Sequence, residues 1–258
     1  MSSKREREYE RRRVEKWQER QARARASRHR RNIVVGSIAA AAVIVIVTVV
    51  VVAQSTGSAD EPTPTGTATI ALDYSPRTGN GGVLPTAALA DDRTWTGTIS
   101  TNRGDIGFEL DGAAAPQAVA NFITLAAGGY FDMTKCHRLV TTGIHVLQCG
   151  DPTATGQGDP GYSWGPIENA PADDVYPAGT IAMARQSNNG SSMGSQFFLV
   201  YADSTIPSDS AGGYTVFGTV STSGLDVLQA IADAGTVQVT PDLSAPASDV
   251  IIEGVETQ

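Results

Sequence analysis

The sequence predicts a mainly β domain, a closed antiparallel barrel capped by two helices, that follows a single transmembrane helix. Residues 33–53 form a run of 21 residues without a charge, rich in Val, Ile and Ala. From about residue 93 onward, many short stretches with the apolar pattern of strands alternate with turn residues. Only two segments in that part have the apolar spacing of a helix. Many short strands with two helices favour a closed barrel.

The N-terminal arm is strongly basic, because residues 1–32 contain thirteen Lys and Arg residues and five Glu, a net charge of +8. The whole chain carries −8, so everything after residue 32 carries −16. Basic residues on one flank of an apolar helix favour keeping that flank in the cytoplasm. Topology and attraction to anionic lipid headgroups account for the charge, so we expect no nucleic-acid partner.

The apolar run at 33–53 is about as long as the ~30 Å core of a bilayer when it forms a helix. We therefore expect a single-pass protein of the cell membrane with residues 1–32 in the cytoplasm and the rest outside it. A buried core helix is one alternative. A cleaved signal peptide is another, but the run exceeds the usual apolar region of about 7–15 residues and its basic flank is long.

The remaining chain divides by composition. Residues 54–91 are rich in Ser, Thr, Gly and Pro and predict a linker that holds the next domain away from the membrane. Residues 92–258 have the sequence pattern of a globular domain, with short apolar segments separated by turn residues. Strands are predicted at 94–100, 107–110, 137–140, 144–147, 179–184, 196–201, 215–220 and 250–255. One helix begins at Pro116 and ends at Gly128-Gly129, and a second spans 225–234 and ends at Gly235.

Two blocks of the domain contain the residues suited to chemistry. They are Cys136-His137-Arg138-Leu139 running to Leu147-Gln148-Cys149-Gly150-Asp151, and Ile181-Ala182-Met183-Ala184-Arg185 running to Gly194-Ser195-Gln196-Phe197-Phe198-Leu199. They supply one guanidinium, two side-chain amides and apolar residues, without an obvious nucleophile, carboxylate pair or metal cluster. That inventory suits rotating a bond better than breaking one.

These blocks, with Val216-Phe217-Gly218 after them, resemble the active-site face of the cyclophilins, and the resemblance extends over residues 93–256. Within that family, the chain resembles the membrane-anchored actinobacterial members. The resemblance implies an eight-stranded barrel with a helix over each opening. It also implies a peptidyl-prolyl cis-trans isomerase that needs no cofactor or metal. With the predicted topology, its partners would be proline-containing segments of exported proteins.

Arg138 is the candidate catalytic residue. An Xaa–Pro amide rotates slowly because nitrogen lone-pair density is delocalised into the carbonyl. A site that donates a hydrogen bond near the nitrogen prefers the twisted amide, and a guanidinium stays protonated and donates in a rigid fork. By resemblance, the substrate-binding residues are His145, Val146, Gln148, Ala184, Arg185, Gln196, Phe198, Ile206 and Tyr214. Phe198 and Val146 would line the proline pocket, although a packed core could also require both.

The chain departs from the family pattern in three places. Between Arg138 and Gln148 it has two more residues than the common eukaryotic pattern, and His145 and Val146 stand where that pattern usually has Phe and Met. Arg185 stands where the family often has Asn. In the loop from Asp203 to Tyr214 the family's tryptophan is missing, with Ile206 in that region, and Tyr214 replaces a histidine. Because the family's indole contributes to cyclosporin binding, we expect weak inhibition by that drug.

Cys136 and Cys149 flank the predicted hairpin and are a candidate disulfide, which an oxidising compartment would preserve. Two buried free thiols are the alternative. The sequence leaves this choice open.

Three other functions fit parts of the sequence. The first is a non-catalytic proline-peptide-binding or chaperone module at the cell envelope, which would use the same pocket without turnover. The second is a serine hydrolase, because Gly190-Ser191-Ser192-Met193-Gly194 matches a nucleophile elbow, but strand follows where a helix is needed and every histidine precedes Ser192. The third is a metal site at His137 and His145, which lacks a third ligand.

Overall fold

A computed structural model of the chain describes residues 77, 80–240 and 243–258. The predicted arm at 1–32, the predicted transmembrane helix at 33–53 and most of the predicted linker lie outside these residues. Within the described part of the chain, no helix is long and apolar enough to cross a membrane. Spanning of the membrane by residues 33–53 therefore stays a prediction.

The last residues of the predicted linker pack against the domain. Ala87–Ala90 form a short 3-10 helix, and Ala90 is buried. The Trp95 indole donates a hydrogen bond of 2.8 Å to the carbonyl of Ala90. The Gln117 side-chain amide donates one of 2.9 Å to the carbonyl of Pro85. The folded unit therefore begins before residue 92.

The described residues form thirteen strands and two α-helices. The helices are α1 (Pro116–Ala127) and α2 (Thr222–Asp233). The strands are β1 (Thr94–Thr101), β2 (Gly104–Asp111), β3 (Thr134–Lys135), β4 (Arg138–Val140), β5 (Val146–Cys149), β6 (Val175–Tyr176), β7 (Thr180–Met183), β8 (Phe197–Val200), β9 (Ser204–Thr205), β10 (Val216–Val220), β11 (Thr236–Thr240), β12 (Leu243–Pro246) and β13 (Ile251–Thr257).

Nine of these strands form one antiparallel sheet in the order β3-β13-β1-β2-β10-β7-β8-β5-β4. The predicted closed eight-stranded barrel was wrong in strand number and in closure, since no pairing joins the end strands β3 and β4 among the described residues. The ninth strand arises because one segment is interrupted at Cys136 and His137. Its two pieces, β3 and β4, pair with the strands at opposite ends of the sheet, β13 and β5.

The main hydrophobic core lies between this sheet and α1. Phe122 of α1 is 2% exposed, and its ring centroid lies 5.1–5.7 Å from those of four other phenylalanines. These are Phe108, Phe131, Phe197 and Phe217. Edge-to-face and tilted pairs of this kind add to the burial of each ring. The predicted apolar face of α1 is therefore the face that packs on the sheet.

Both helices begin at caps, but only one cap is local. Ala115 gives α1 no side-chain cap, and the Glu168 carboxylate, fifty residues away, accepts 3.0 Å hydrogen bonds from the backbone N–H groups of Gln117 and Ala118. Ser221 caps α2 by accepting from the Gly224 N–H at 3.1 Å. This cap explains why α2 begins at Thr222, ahead of the predicted start at 225.

Candidate active site

Arg138 opens strand β4 and lies opposite Gln148 of strand β5. Its Nη1 donates a 3.2 Å hydrogen bond to Oε1 of Gln148. The arginine is half-buried. Burial lowers the pKa of the Arg138 guanidinium from its ordinary value, and the nearby Tyr214 opposes that shift. A guanidinium titrates so far above neutrality that Arg138 keeps its charge at working pH.

Two side-chain amides continue this contact across the sheet. Gln148 Nε2 donates to Gln196 Oε1 at 2.9 Å, and Gln196 Nε2 donates to the carbonyls of Gly156 and Gly158, both at 3.0 Å. Because two carbonyls require the NH₂ group of Gln196, its oxygen must face Gln148. The oxygen of Gln148 must then face Arg138. The chain of amides fixes one orientation for the guanidinium.

The loop that supplies those carbonyls is organised by Asp151, which is 0% exposed. Its carboxylate accepts backbone hydrogen bonds of 2.7–3.1 Å from Thr153, Thr155, Gly156 and Gly158. Burial opposes ionisation, but hydrogen bonds from Thr153, Gly158 and Gly156 outweigh it and lower the pKa of Asp151. Asp151 therefore holds the loop in the shape that receives Gln196.

His137 lies beneath the same loop and is 4% exposed. A Cβ built on Gly156 would lie 3.8 Å from its imidazole. Neither ring nitrogen has a hydrogen-bond partner among the described residues. Burial lowers the pKa of His137, Asp151 opposes that shift and Arg138 adds to it. We therefore expect the His137 imidazole to be neutral.

An apolar cluster, separate from the main core, lies beside these polar groups. It contains the buried side chains of Val146, Tyr176, Ala182, Phe198, Val200 and Ile206, with Ala184 and Tyr214 among the half-buried residues packed against it. Phe198 is opposite Gln148 in the β5–β8 register, so the two are neighbours across the strands. The Tyr214 ring meets the Phe198 ring edge-on, with centroids 5.6 Å apart.

The structure thus brings most of the predicted site residues together. Arg138, Gln148 and Gln196 form the chain of side-chain hydrogen bonds. Val146, Ala184, Phe198, Ile206 and Tyr214 form or border the apolar cluster. Their roles in peptide binding stay predictions. Sequence reasoning missed the supporting residues Asp151 and Tyr176, although Asp151 before Thr153 and Thr155 has the pattern of a side-chain-capped turn.

Two predicted substrate-binding residues have their side chains engaged by other parts of the protein. The imidazole of His145 packs edge-to-face on Tyr201, with ring centroids 5.6 Å apart, and Tyr201 belongs to the main core. The Arg185 side chain is 0% exposed and forms an ion pair of 2.8 Å with Asp209. Both side chains are therefore engaged by the protein itself, and Arg185 meets the apolar cluster only through Tyr214, whose ring centroid lies 4.6 Å from its guanidinium carbon.

Cys136 and Cys149 form a disulfide, and both are 1% exposed. Cys149 directly follows Gln148, and Cys136 precedes Arg138 by two residues. The disulfide therefore joins the last residue of β5, next to Gln148, to the segment just before β4, which begins at Arg138.

Ser192, the serine of the elbow-like motif, is engaged in its own loop. Its hydroxyl donates to the carbonyl of Asn189 at 2.7 Å and accepts from the N–H of Gln186 at 2.8 Å. Nothing in this environment activates a nucleophile.

Comparison with known proteins agrees with the geometry. The family model for cyclophilin type peptidyl-prolyl cis-trans isomerases matches residues 96–257. The probable peptidyl-prolyl cis-trans isomerase B of Mycobacterium leprae is 41% identical over 191 residues, which are 70% of this chain. The peptidyl-prolyl cis-trans isomerase of Helicobacter pylori is 38% identical over 147 residues, 57% of this chain and 85% of that protein. The chain spans about 60% of the length of the M. leprae relative.

Among solved structures, the chain resembles a cyclophilin type peptidyl-prolyl cis-trans isomerase of Cryptosporidium parvum, crystallised in the presence of the dipeptide Ala-Pro. The TM-score is 0.52 at 30% identity, and the match covers 62% of this chain and 96% of that one. The matched family region contains Arg138, both glutamines and the apolar cluster. Since that region is more than half of the chain, the protein belongs to the cyclophilin-type peptidyl-prolyl cis-trans isomerase family.

Proposed function

We propose that this domain catalyses the cis–trans isomerisation of Xaa–Pro bonds in exported proteins, on the outer side of the cell membrane. The observation that carries the proposal is the fixed guanidinium of Arg138 beside an apolar cluster. Family membership supports the reaction class.

The apolar cluster is suited to a proline ring. Its walls come from Phe198, Val146, Ile206 and Tyr214, of which Tyr214 is half-buried and Phe198 and Ile206 are 6% and 8% exposed. A proline ring that enters the cluster buries apolar surface, and each Å² buried contributes about 25 cal/mol of favourable free energy. This binding holds the peptide so that its Xaa–Pro amide lies along the polar groups.

Arg138 supplies the stabilisation that raises the rate. In the twisted amide the nitrogen regains its lone pair and becomes a hydrogen-bond acceptor, whereas in either planar isomer it is not one. A donor that interacts only with the twisted form lowers the barrier without tightening the ground state. The amide chain through Gln148 and Gln196 holds this donor in place before the substrate arrives.

The location outside the membrane rests on the sequence of residues 1–53 and on the disulfide, because disulfides persist in oxidising compartments. Its test is protease treatment of intact spheroplasts. Residues 92–258 should be digested while a tag before residue 1 is protected. Protection of the domain would overturn the proposed location.

The second candidate is a proline-binding or chaperone module without turnover. The altered loop around Ile206 favours it, since that loop borders the pocket. The fixed orientation of Arg138 argues against it, because a binder has less use for a donor held in one direction.

Exchange spectroscopy on an Ala-Pro peptide tests the proposal with the full-length chain in non-ionic detergent. We expect faster cis–trans exchange with the parent and at least about a 100-fold loss with Arg138→Ala, as for loss of a preorganised donor. The control is Arg103→Ala, which removes an exposed arginine whose Nε contacts a main-chain carbonyl at 3.0 Å. Binding without faster exchange by the parent would favour the binding module.

A further inference from the structure

The guanidinium of Arg185 is completely engaged by the protein. Its Nε donates to the carbonyl of Gly213 at 2.9 Å, and its Nη1 donates to the carbonyl of Gln186 at 3.1 Å. Nη1 and Nη2 form a bidentate pair with Asp209 at 2.8 and 3.0 Å, and Nη2 also donates to the carbonyl of Gly212. An arginine has five N–H donors, and each has an acceptor here. None is left for a bound peptide.

Asp209 extends this contact to two loops, and we call the hydrogen-bonded pair of Arg185 and Asp209, with the loop backbone it binds, the joint. Its carboxylate also accepts from the backbone N–H of Asn188 at 2.7 Å and of Ala211 at 2.9 Å. Asn188 belongs to the loop after β7, and Ala211 belongs to the loop before β10. The hydrogen bonds from Arg185 and Asn188 hold the pKa of Asp209 well below its usual range. The carboxylate is therefore charged throughout the working pH range.

The joint ends at Tyr214. The guanidinium carbon of Arg185 lies 4.6 Å from the centroid of the Tyr214 ring. The backbone N–H of Tyr214 donates to the hydroxyl of Tyr176 at 2.8 Å. A Cβ on Gly213 would lie 2.9 Å from that same hydroxyl, so the close approach requires glycine. Arg185 stacks on the Tyr214 ring, and the backbone of Tyr214 is held by Tyr176. With these contacts the Tyr214 ring is edge-on to Phe198.

We propose that Arg185 is a positioning residue that sets one wall of the proline pocket by holding Tyr214 against Phe198. The inference rests on the proposed function, because only that function makes a proline ring the ligand of the pocket. Arg185 touches no reacting atom in this account. Its loss should therefore weaken binding of Pro-containing peptides and leave the rate of rotation in the bound state nearly unchanged. Arg138 should show the opposite pattern.

Arg185→Lys is the sharpest test, because lysine keeps the charge but has three donors and no planar face. Turnover and titration with an Ala-Pro peptide give kcat, KM and Kd for the full-length chain. We expect KM and Kd to rise about 10-fold with kcat within about twofold, since a change in binding alone moves KM. Arg103→Lys is the matched control and should change none of these values.

A double-mutant cycle separates positioning from general loosening. Tyr214→Leu should raise KM by a similar factor, and adding Arg185→Lys to it should cost less than about twofold more, because both changes remove the same wall. If Arg185→Lys fails to fold, Asp209→Asn tests the same joint with nearly the same side-chain shape. We expect Asp209→Asn to raise KM as well.

Unchanged KM and Kd in Arg185→Lys, a fall in kcat at constant KM, or full additivity with Tyr214→Leu would each overturn the inference. Failure of the proposed function has a different signature. A parent chain that binds the peptide but does not accelerate its cis–trans exchange would contradict catalysis. The Kd values of the variants would then still test whether Arg185 positions Tyr214. A parent that does neither would overturn both.

Discussion

The main core under α1 and the apolar cluster beside Arg138 are built from similar buried strand residues, but they differ in what borders them. The core is closed by α1 and by an aromatic group centred on Phe122. Among the described residues, the apolar cluster has five half-buried residues, such as Ala184 and Tyr214, packed against six buried ones, whereas the core has seven against thirty-three. The cluster also adjoins the chain from Arg138 to Gln196. The difference indicates that the first region provides stability and the second provides the site.

The largest expected effect is on stability. Phe122→Ala should lower the free energy of unfolding by about 3–5 kcal/mol, because it leaves a cavity among four aromatic rings. Chemical denaturation measures this loss. The matched change in the other region is Phe198→Ala, which should cost less stability because Phe198 packs against two aromatic rings, Tyr176 and Tyr214, rather than four, yet abolish peptide binding. Equal stability losses and retained binding in Phe198→Ala would break the distinction.

The disulfide belongs to both regions, since its cysteines lie in the main core and flank Arg138 and Gln148. Replacing both by alanine should lower the free energy of unfolding by about 3 kcal/mol, as for a short closed loop. Exchange catalysed by the folded variant should fall only a few-fold, because the Arg138–Gln148 pairing and the 2.9 Å hydrogen bond from Cys136 N–H to the Val250 carbonyl remain. A rate loss as large as that of Arg138→Ala would contradict this.

Glu168 sharpens the comparison because it caps the helix over the core and donates its own N–H to Thr215, beside Tyr214. Glu168→Gln should cost about 1–2 kcal/mol of stability, since one carboxylate oxygen becomes an NH₂ group that cannot accept from a backbone N–H and the remaining hydrogen bond becomes a neutral one. Thermal and denaturant unfolding measure the cost. KM for the peptide should not change, because the backbone bond to Thr215 survives. A raised KM would show that the two regions are coupled through this loop.

The smallest effect is pH-dependent. The folded pKa of His137 is lowered, so between its ordinary value of 6.5 and the lower folded value the unfolded chain binds a proton that the folded chain does not. Stability is therefore undiminished above pH 6.5 and falls as the pH drops below it, by at most about 1.4 kcal/mol per pH unit. Unfolding measured from pH 7.5 to 5 should show this fall.

His137→Asn should flatten the dependence in that window. Asp151 does not contribute to the pH dependence in this window, because the pKa of its carboxyl is lowered from 3.8. An unchanged slope in the variant would assign the acid sensitivity to other groups.

The sequence was a good guide where patterns are local. The predicted strands at 94–100 and 196–201 and the helix after Pro116 correspond to β1, β8 and α1. Very short strands such as Thr134–Lys135 were not predicted, because two residues carry no period. Strand β11 was missed because all of its residues are exposed.

The site was predictable where the hairpin and family pattern specify neighbours, as for Arg138 and Gln148. His145 was assigned with Val146, although adjacent residues of an extended chain point to opposite faces. The partner of Arg185 lies 24 residues away, in the loop that departs from the family. The cap at Glu168 is likewise a long-range contact. No pattern within a strand or helix could predict either one.

The central claim is that stability and turnover depend on different regions, and two alanine variants measured side by side test it directly. Unfolding free energy and kcat/KM for an Ala-Pro peptide would be determined for Arg138→Ala and Phe122→Ala in the full-length chain. We predict that Arg138→Ala loses about 100-fold in kcat/KM, equivalent to about 2.7 kcal/mol of transition-state stabilisation, with little loss of stability. Phe122→Ala should lose stability and keep most of its turnover at a temperature where it stays folded. A kcat/KM that falls in proportion to stability in both variants would contradict the account.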